Sequence, residues 1–391
     1  MDWSLLFLLL PVAAFSGWLI GRNKSDRREQ HACDGLNAGY LKGLNYLLNE
    51  QSDKALEVFI QMLEVDSETI ETHFALGNLF LRRGEVDRAI RIHQNLIARP
   101  TLTRLQRQQA LFELGKDYLR AGLLDRAESL FIQVSDNVEL APLALTHLLE
   151  VYQLEKEWRK AIEAARGLKK NPEHESLQAR IAHFLCEEAE EALRNKRDKE
   201  ATRLVKEALE EDSNCVRATL LQARMEMAVQ DFEKAINTLM RVEKQDAEFI
   251  PEICPLLREC HQHMGNTDEL ISFLGRLIND QKGGEGAVLL HAELVENKQG
   301  RAMAMAFLMD YLKEHPSLRV MKKLVEFKLS GQPQDDNADL VLVDNLIATR
   351  LAGRHLYQCR NCGFSARTLH WQCPTCKSWN SVKPMQGVDG E

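Results

Sequence analysis

Apolar residues fall into three patterns along this chain, and the first is a continuous run. Trp3 to Ile20 reads WSLLFLLLPVAAFSGWLI, eighteen residues without a charge. As a helix that run would extend about 27 Å, close to the hydrocarbon thickness of a bilayer. Trp3 and Trp18 stand near its two ends, where indoles favour the lipid–water boundary. A cleaved signal peptide is the competing reading. Against it, an acid (Asp2) and no basic side chain precede the run, and GRNKSDRR behind it is a poor cleavage context. Residues 1–21 are therefore expected to form a retained transmembrane anchor. Arg22, Lys24, Arg27 and Arg28 follow it in a basic linker over 22–35. The positive-inside rule then leaves the rest of the chain in the cytoplasm.

The second pattern is periodic. GLNYLLNEQSDKALEVFIQMLEVD and GNLFLRRGEVDRAIRIHQNLIARP share one frame, with Gly43 and Gly77 thirty-four residues apart. Three residues after each glycine stands an aromatic (Tyr46, Phe80), and twelve after each an alanine (Ala55, Ala89). Gly115, Tyr118 and Ala127 repeat the frame, with Phe131 four further on. Leu149, Tyr152 and Ala161 follow, closed by Pro172, then Ala189 with Ala201 and Ala223 with Ala235. Arg258 with Leu270 is a degenerate unit, and Ala292 with Ala304 leads to Pro316. The spacing widens to thirty-eight between the second and third units and to forty between the fourth and fifth. These insertions fall around Thr101–Arg107 and Pro172–Leu177.

This frame resembles the tetratricopeptide repeat, over about residues 36–330 in about eight units. A small residue in one helix and an alanine in the next let the pair cross closely, and each hairpin leaves a bare apolar face that only stacking covers. The expectation is an all-α superhelix with a concave groove. In this frame Asn78, Arg82, Lys116 and Arg120 face inward and would hold an acidic or C-terminal peptide; as the plainer alternative, they are solvated helix-face charges. A carboxylate clamp is excluded, because Tyr40 and Leu44 stand where it needs a cation and an asparagine.

The third pattern is short. YQCRNCGFSARTLHWQCPTCKSW carries two C-x-x-C turns, Cys359 with Cys362 and Cys373 with Cys376. Two such turns facing each other build a tetrahedral four-sulfur cage for one zinc or iron ion, with no coordination position open for substrate. Gly363 suits the left-handed position after the first turn, and Lys377 stands in the equivalent place after the second. Phe364, Trp371 and Trp379 are expected to form a small apolar shell. The module covers 356–384, preceded by a linker and helix over 331–355 (VLVDNLIATRLAG, expected near the metal module) and followed by a tail over 385–391. Cys254, Cys260, His261 and His263 do not share one helix face and read as scattered repeat residues. The other cysteines, Cys33, Cys186 and Cys215, are also scattered, as in a reducing compartment.

Composition narrows the function. Charged residues are 28%, aromatics 6%, and the net charge of −8 disfavours a general nucleic-acid binder. Neither a phosphate-binding glycine loop, a nucleophile elbow nor an open metal triad is present, so an enzyme is not expected. Together the anchor WSLLFLLLPVAAFSGWLIGR, the repeat frame and CRNCGF…HWQCPTCKSW resemble the lipopolysaccharide assembly protein B family of Gram-negative bacteria. The resemblance implies a single-pass inner-membrane protein with a rubredoxin-like knuckle ligated by Cys359, Cys362, Cys373 and Cys376 and packed on the repeats. It also implies an adaptor that presents the deacetylase LpxC to the membrane protease FtsH and so regulates lipopolysaccharide synthesis. Two alternatives stand beside it: a scaffold for other envelope enzymes without proteolysis, and an iron-loaded redox protein.

Overall fold

The computed structural model describes residues 41–46, 49, 51, 54, 55, 58, 70–168, 177–330 and 338–385. The expected anchor, the basic linker, the insertion around Pro172 and the tail beyond residue 385 lie outside the described residues. No helix among the described residues is long and apolar enough to cross a membrane. The chain forms two compact units, one up to Glu157 and one from Trp158 onward.

In the first unit α1 (Ile70–Arg82) pairs with α2 (Val86–Ile97), and α3 (Arg104–Arg120) with α4 (Leu124–Val134), ahead of α5 (Ala141–Glu155). The repeat frame explains the pairing. Ala89 and Ala127 are completely buried. A methyl group on Gly77 would lie 2.3 Å from His93 Nε2, and one on Gly115 would lie 2.7 Å from Phe131 Cε1. The residue sixteen positions after each glycine thus sits directly on it, which only a hydrogen at Cα permits. Thr103 caps α3: its hydroxyl accepts from the Gln106 amide while the Gln106 side chain accepts from the Thr103 amide.

The second unit runs through α6 (Trp158–Leu168), α7 (Leu177–Arg194), α8 (Asp198–Glu211), α9 (Val216–Ala228) and α10 (Phe232–Met240). A short α11 (Val242–Gln245) and a 3-10 turn at Ala247–Phe249 lead into α12 (Ile250–Met264), α13 (Asp268–Asn279), α14 (Gly284–Gln299), α15 (Arg301–Glu314), α16 (Leu318–Leu329) and α17 (Ala338–Ala352). Ala161, Ala189, Ala201, Ala223, Ala235, Ala292 and Ala304 are all fully buried, so the small residues again mark the helix crossings. In the degenerate unit α12 and α13 touch little, because Arg258 fills the place of the small residue and reaches Glu293 at 2.8 Å instead. The expected position of α17 beside the metal module is corrected: it packs along α16. Only its Ile347 is buried, and Asp344 approaches Lys322 at 3.8 Å.

The first helix of most hairpins stops seven residues after its small position, in left-handed backbone. Gly84, Gly122 and Gly265 take φ values of 79°, 74° and 68°, and Lys156, Lys196 and Gln230 take 60°, 58° and 63°. The chain ends in a three-stranded antiparallel sheet of order β2-β1-β3, made of β1 (Tyr357–Cys359), β2 (Ser365–Ala366) and β3 (Val382–Pro384). Its register pairs Tyr357 with both Ala366 and Pro384, and Cys359 with Val382.

Candidate metal centre

Each C-x-x-C turn closes on its own backbone. In the first, the Cys359 amide donates to the Phe364 carbonyl at 2.7 Å and the Gly363 amide to the Cys359 carbonyl at 2.9 Å. In the second, the Cys373 amide donates to Ser378 and the Lys377 amide to Cys373, both at 2.9 Å. Gly363 and Lys377 have φ of 76° and 58°, so both adopt the left-handed conformation that turns the chain back over the sulfurs. Lysine there bears a strain of about 1 kcal/mol that glycine avoids.

The two turns bring four Sγ atoms within 4.8 Å of one another. Cys359 and Cys376 are 3.7 Å apart, and Cys362 and Cys373 are 3.6 Å apart. A tetrahedral ion with metal–sulfur bonds of about 2.3 Å needs sulfurs about 3.8 Å apart, so the cage fits. Its electrostatics ask for a cation as well. The Ser378 hydroxyl and amide, then the Asn361 side chain, hold the Cys376 thiol down to about 5. The Phe364 amide favours the Cys362 thiolate too, yet desolvation and the three neighbouring sulfurs push that thiol up to about 12. Four thiolates at this spacing coexist only around a positive ion. Such an ion would be held by Cys359, Cys362, Cys373 and Cys376, and its chemistry there is structural cross-linking.

Phe364 packs against Cys359, Cys373 and Val382 within the module. The two indoles do otherwise, which corrects the expected apolar shell. Trp371 lies 5.3 Å from the Phe249 ring. Trp379 stacks on His183 at 5.1 Å and meets Phe184 at 5.6 Å and Trp158 at 6.2 Å, edge-on. So small a module cannot enclose two indoles, and the helices of the second unit supply the missing apolar surface. Polar contacts frame that patch. The Tyr357 hydroxyl donates to Glu252 at 2.6 Å, and Arg360 pairs with Glu248 at 3.0 Å. Lys383 pairs with Asp246 while its ammonium lies 4.2 Å from the Phe249 ring centre. Beneath the indoles His183 is 3% exposed, and burial, then Arg217 and Lys383, drive its pKa down to about 3. The ring that faces the indoles is therefore a neutral imidazole. An indole surplus in so short a knuckle was the sequence signal for this contact; nothing marked His183.

The other sequence candidates stand on α1, α3 and α12. Asn78 is half-buried and Arg82 exposed on α1. Lys116 is bound by Glu113 at 2.6 Å and lies 5.4 Å from the Phe112 ring centre, whereas Arg120 is exposed at the end of α3. No hydrogen bond or ion pair among the described residues joins the two pairs. His261 engages the Asn266 carbonyl at 2.5 Å and His263 stacks on Phe232 at 4.5 Å, so neither turns toward a shared ligand. Buried polar pairs went unforeseen: His93 with Asp117 at 2.6 Å, and Arg217 with Glu187 and Glu190 at 2.9 and 2.8 Å. Burial pushes the Asp117 carboxyl above its usual range, against the pull of His93.

Stacked helical hairpins with a four-cysteine knuckle docked on them define a tetratricopeptide-repeat protein bearing a rubredoxin-type metal module. Residues 72–107 match the tetratricopeptide repeat model and residues 357–384 match a rubredoxin metal binding domain. Lipopolysaccharide assembly protein B of Escherichia coli strain K12 is 39% identical over 388 residues, covering 99% of each chain. The protein of that name from Haemophilus influenzae is 35% identical over 400 residues, again covering 99% of each. The chain belongs to the lipopolysaccharide assembly protein B family. Among solved structures, a crystal structure of MamA aligns over 45% of this chain and 96% of its own at 20% identity and TM-score 0.34, too loosely to bear on function.

Proposed function

We propose that this chain is a non-catalytic adaptor for lipopolysaccharide assembly, anchored in the bacterial inner membrane by residues 1–21 with its bulk in the cytoplasm. The observation that carries this reading is end-to-end similarity to proteins named for that process. The mechanism is proximity: an anchored repeat array raises the effective concentration of membrane-bound and cytoplasmic partners for each other. In this reading the repeats hold LpxC near FtsH and shorten its lifetime, with Asn78, Arg82, Lys116 and Arg120 as the client-facing polar residues. The ion, zinc or iron, has all four positions filled by sulfur, which suits a structural brace and leaves no site for substrate. The test is the half-life of LpxC in cells depleted of this chain and rescued with the full chain or with residues 22–391. The half-life is expected to lengthen on depletion and recover only with the anchored form. An unchanged half-life would remove the proteolytic role and leave an envelope-enzyme scaffold.

A further inference from the structure

The chain carries a net charge of −8, yet residues 82–107 hold seven arginines, no lysine and only two acids, Glu85 and Asp87. The structure orders these arginines. Arg88, Arg91 and Asn95 recur at helical spacing along α2, and all three are exposed. The stripe runs toward the turn that joins α2 to α3, where the repeat spacing is stretched to thirty-eight residues. There Arg107 donates to the carbonyls of Ile97 and Arg99, both at 3.3 Å, pinning the start of α3 against the end of α2. Arg104 and Leu105 project from the same short stretch, and Leu105 is 53% exposed. Arg91 and Arg104 make no ion pair among the described residues.

Repeat packing does not call for these residues. The hairpin interface is made by Gly77, Ala89 and His93 on the opposite side of α2, and Leu102 fills the inter-repeat space. Of the insertion residues, Arg107 serves the fold, whereas exposed Arg104 and the bare Leu105 serve something outside it. Guanidinium groups pair with phosphate bidentately, and a single exposed aliphatic side chain among them suits a surface that is anionic outside and apolar just beneath. A separate basic cluster, Arg22, Lys24, Arg27 and Arg28, stands beside the expected anchor. We propose that the outer face of α2 and the start of α3 form a docking surface for the anionic phospholipid headgroups of the membrane. In this proposal Arg91, Arg104 and Arg88, which exchanges its surface pair with Glu85, engage phosphates and Leu105 enters the headgroup layer. It rests on the anchored reading for its location, and it would hold the first repeats against the bilayer.

The test keeps the full chain. A photo-crosslinking side chain replaces Leu105, and the protein is combined with vesicles of phosphatidylcholine alone or of phosphatidylcholine with phosphatidylglycerol. Flotation reports the anchor; lipid adducts at position 105 report the surface. The expected result is flotation with both vesicles and adducts only with the anionic ones. Those adducts should fall roughly a hundredfold in the Arg88→Glu, Arg91→Glu, Arg104→Glu protein, on the basis of the loss per basic residue at an anionic surface, and persist in the corresponding lysine protein. Equal adducts in both vesicles, adducts indifferent to charge reversal, or flotation without adducts would overturn the proposal. Flotation with anionic vesicles alone would remove the anchor and keep the surface. Flotation with neither would remove both.

Discussion

Gly115 should resist replacement, and the reason can be worked out atom by atom. Changing it to alanine inside α3 would by propensity alone stabilise the helix by about 1 kcal/mol. The new methyl, however, would lie 2.7 Å from Phe131 Cε1, with two further ring carbons at 3.1 Å. The ring has nowhere to go. It is fully buried, meets Phe112 edge-on at 5.8 Å and stacks on His147 at 5.1 Å. Overpacking of this kind costs about 1–3 kcal/mol, which offsets the propensity gain and leaves Gly115→Ala destabilising by up to about 2 kcal/mol net. Phe131→Leu alone should cost about 1–2 kcal/mol through lost aromatic contacts and volume. In the double variant the methyl occupies space the ring has vacated, and the propensity gain reappears. The pair should therefore be less harmful than the sum of its parts by the relieved overpacking, about 1–3 kcal/mol. Hydrogen exchange of α3 and α4 peptides in the full chain measures the opening free energy of this hairpin separately from the rest. Additive effects to within about 0.5 kcal/mol would refute steric contact between glycine and ring as the basis of the repeat frame.

Two further outcomes concern the metal module. Replacing Cys362 and Cys376 by serine should take metal content from one ion per chain to none, because binding of a structural ion supplies about 10–16 kcal/mol in small modules. Amides of β1 to β3 should then lose exchange protection while α7 to α10 keep theirs; retention of a stoichiometric ion would contradict the four-sulfur cage. His183 sets a pH dependence. Its folded value of about 3 lies below its ordinary 6.5, so the neutral form is favoured by folding. The associated stability is complete above about pH 6.5 and is lost as pH falls toward 3, reaching about 2 kcal/mol lost near pH 5. Thermal melts of the native chain should therefore fall more steeply between about pH 7 and 5 than those of His183→Gln. Thiolate protonation affects both proteins alike, so identical slopes would show that the imidazole does not enter the fold neutral.

How much of this molecule could be read from its residues depends on how far apart the cooperating residues are. The hairpins were legible because the twelve-residue offset between small residues is a property of one helical turnaround, repeated. The two knuckles were legible for the same reason: each closes within five residues, and Lys377 adopts the left-handed backbone its position required. The left-handed stop seven residues after most small positions was equally local, and three of its glycines were visible, but it is obscured where Lys156, Lys196 and Gln230 take the same backbone. What escaped is non-local. Asp117 finds His93 only once two successive hairpins stack, so neither residue betrays its burial in its own segment. The knuckle's docking is more remote still: Tyr357 and Glu252 are 105 positions apart, Arg360 and Glu248 are 112, and Lys383 and Asp246 are 137.

No periodicity connects such pairs, but a size argument does. A three-stranded module with a metal in place of a core can enclose one ring, and Phe364 takes that place. Trp371 and Trp379 then exceed what the module can bury, so an apolar partner had to exist elsewhere in the chain or outside it. The partner is the surface made by Trp158, His183, Phe184 and Phe249, contributed by three separate elements. Because the sulfur cage orients the loop that carries both indoles, an ion with no coordination position open to substrate can still set how the knuckle seats on those helices. Loss of the ion should therefore unseat the two indoles from Phe249 and His183, while the helices beneath keep the packing they make with one another.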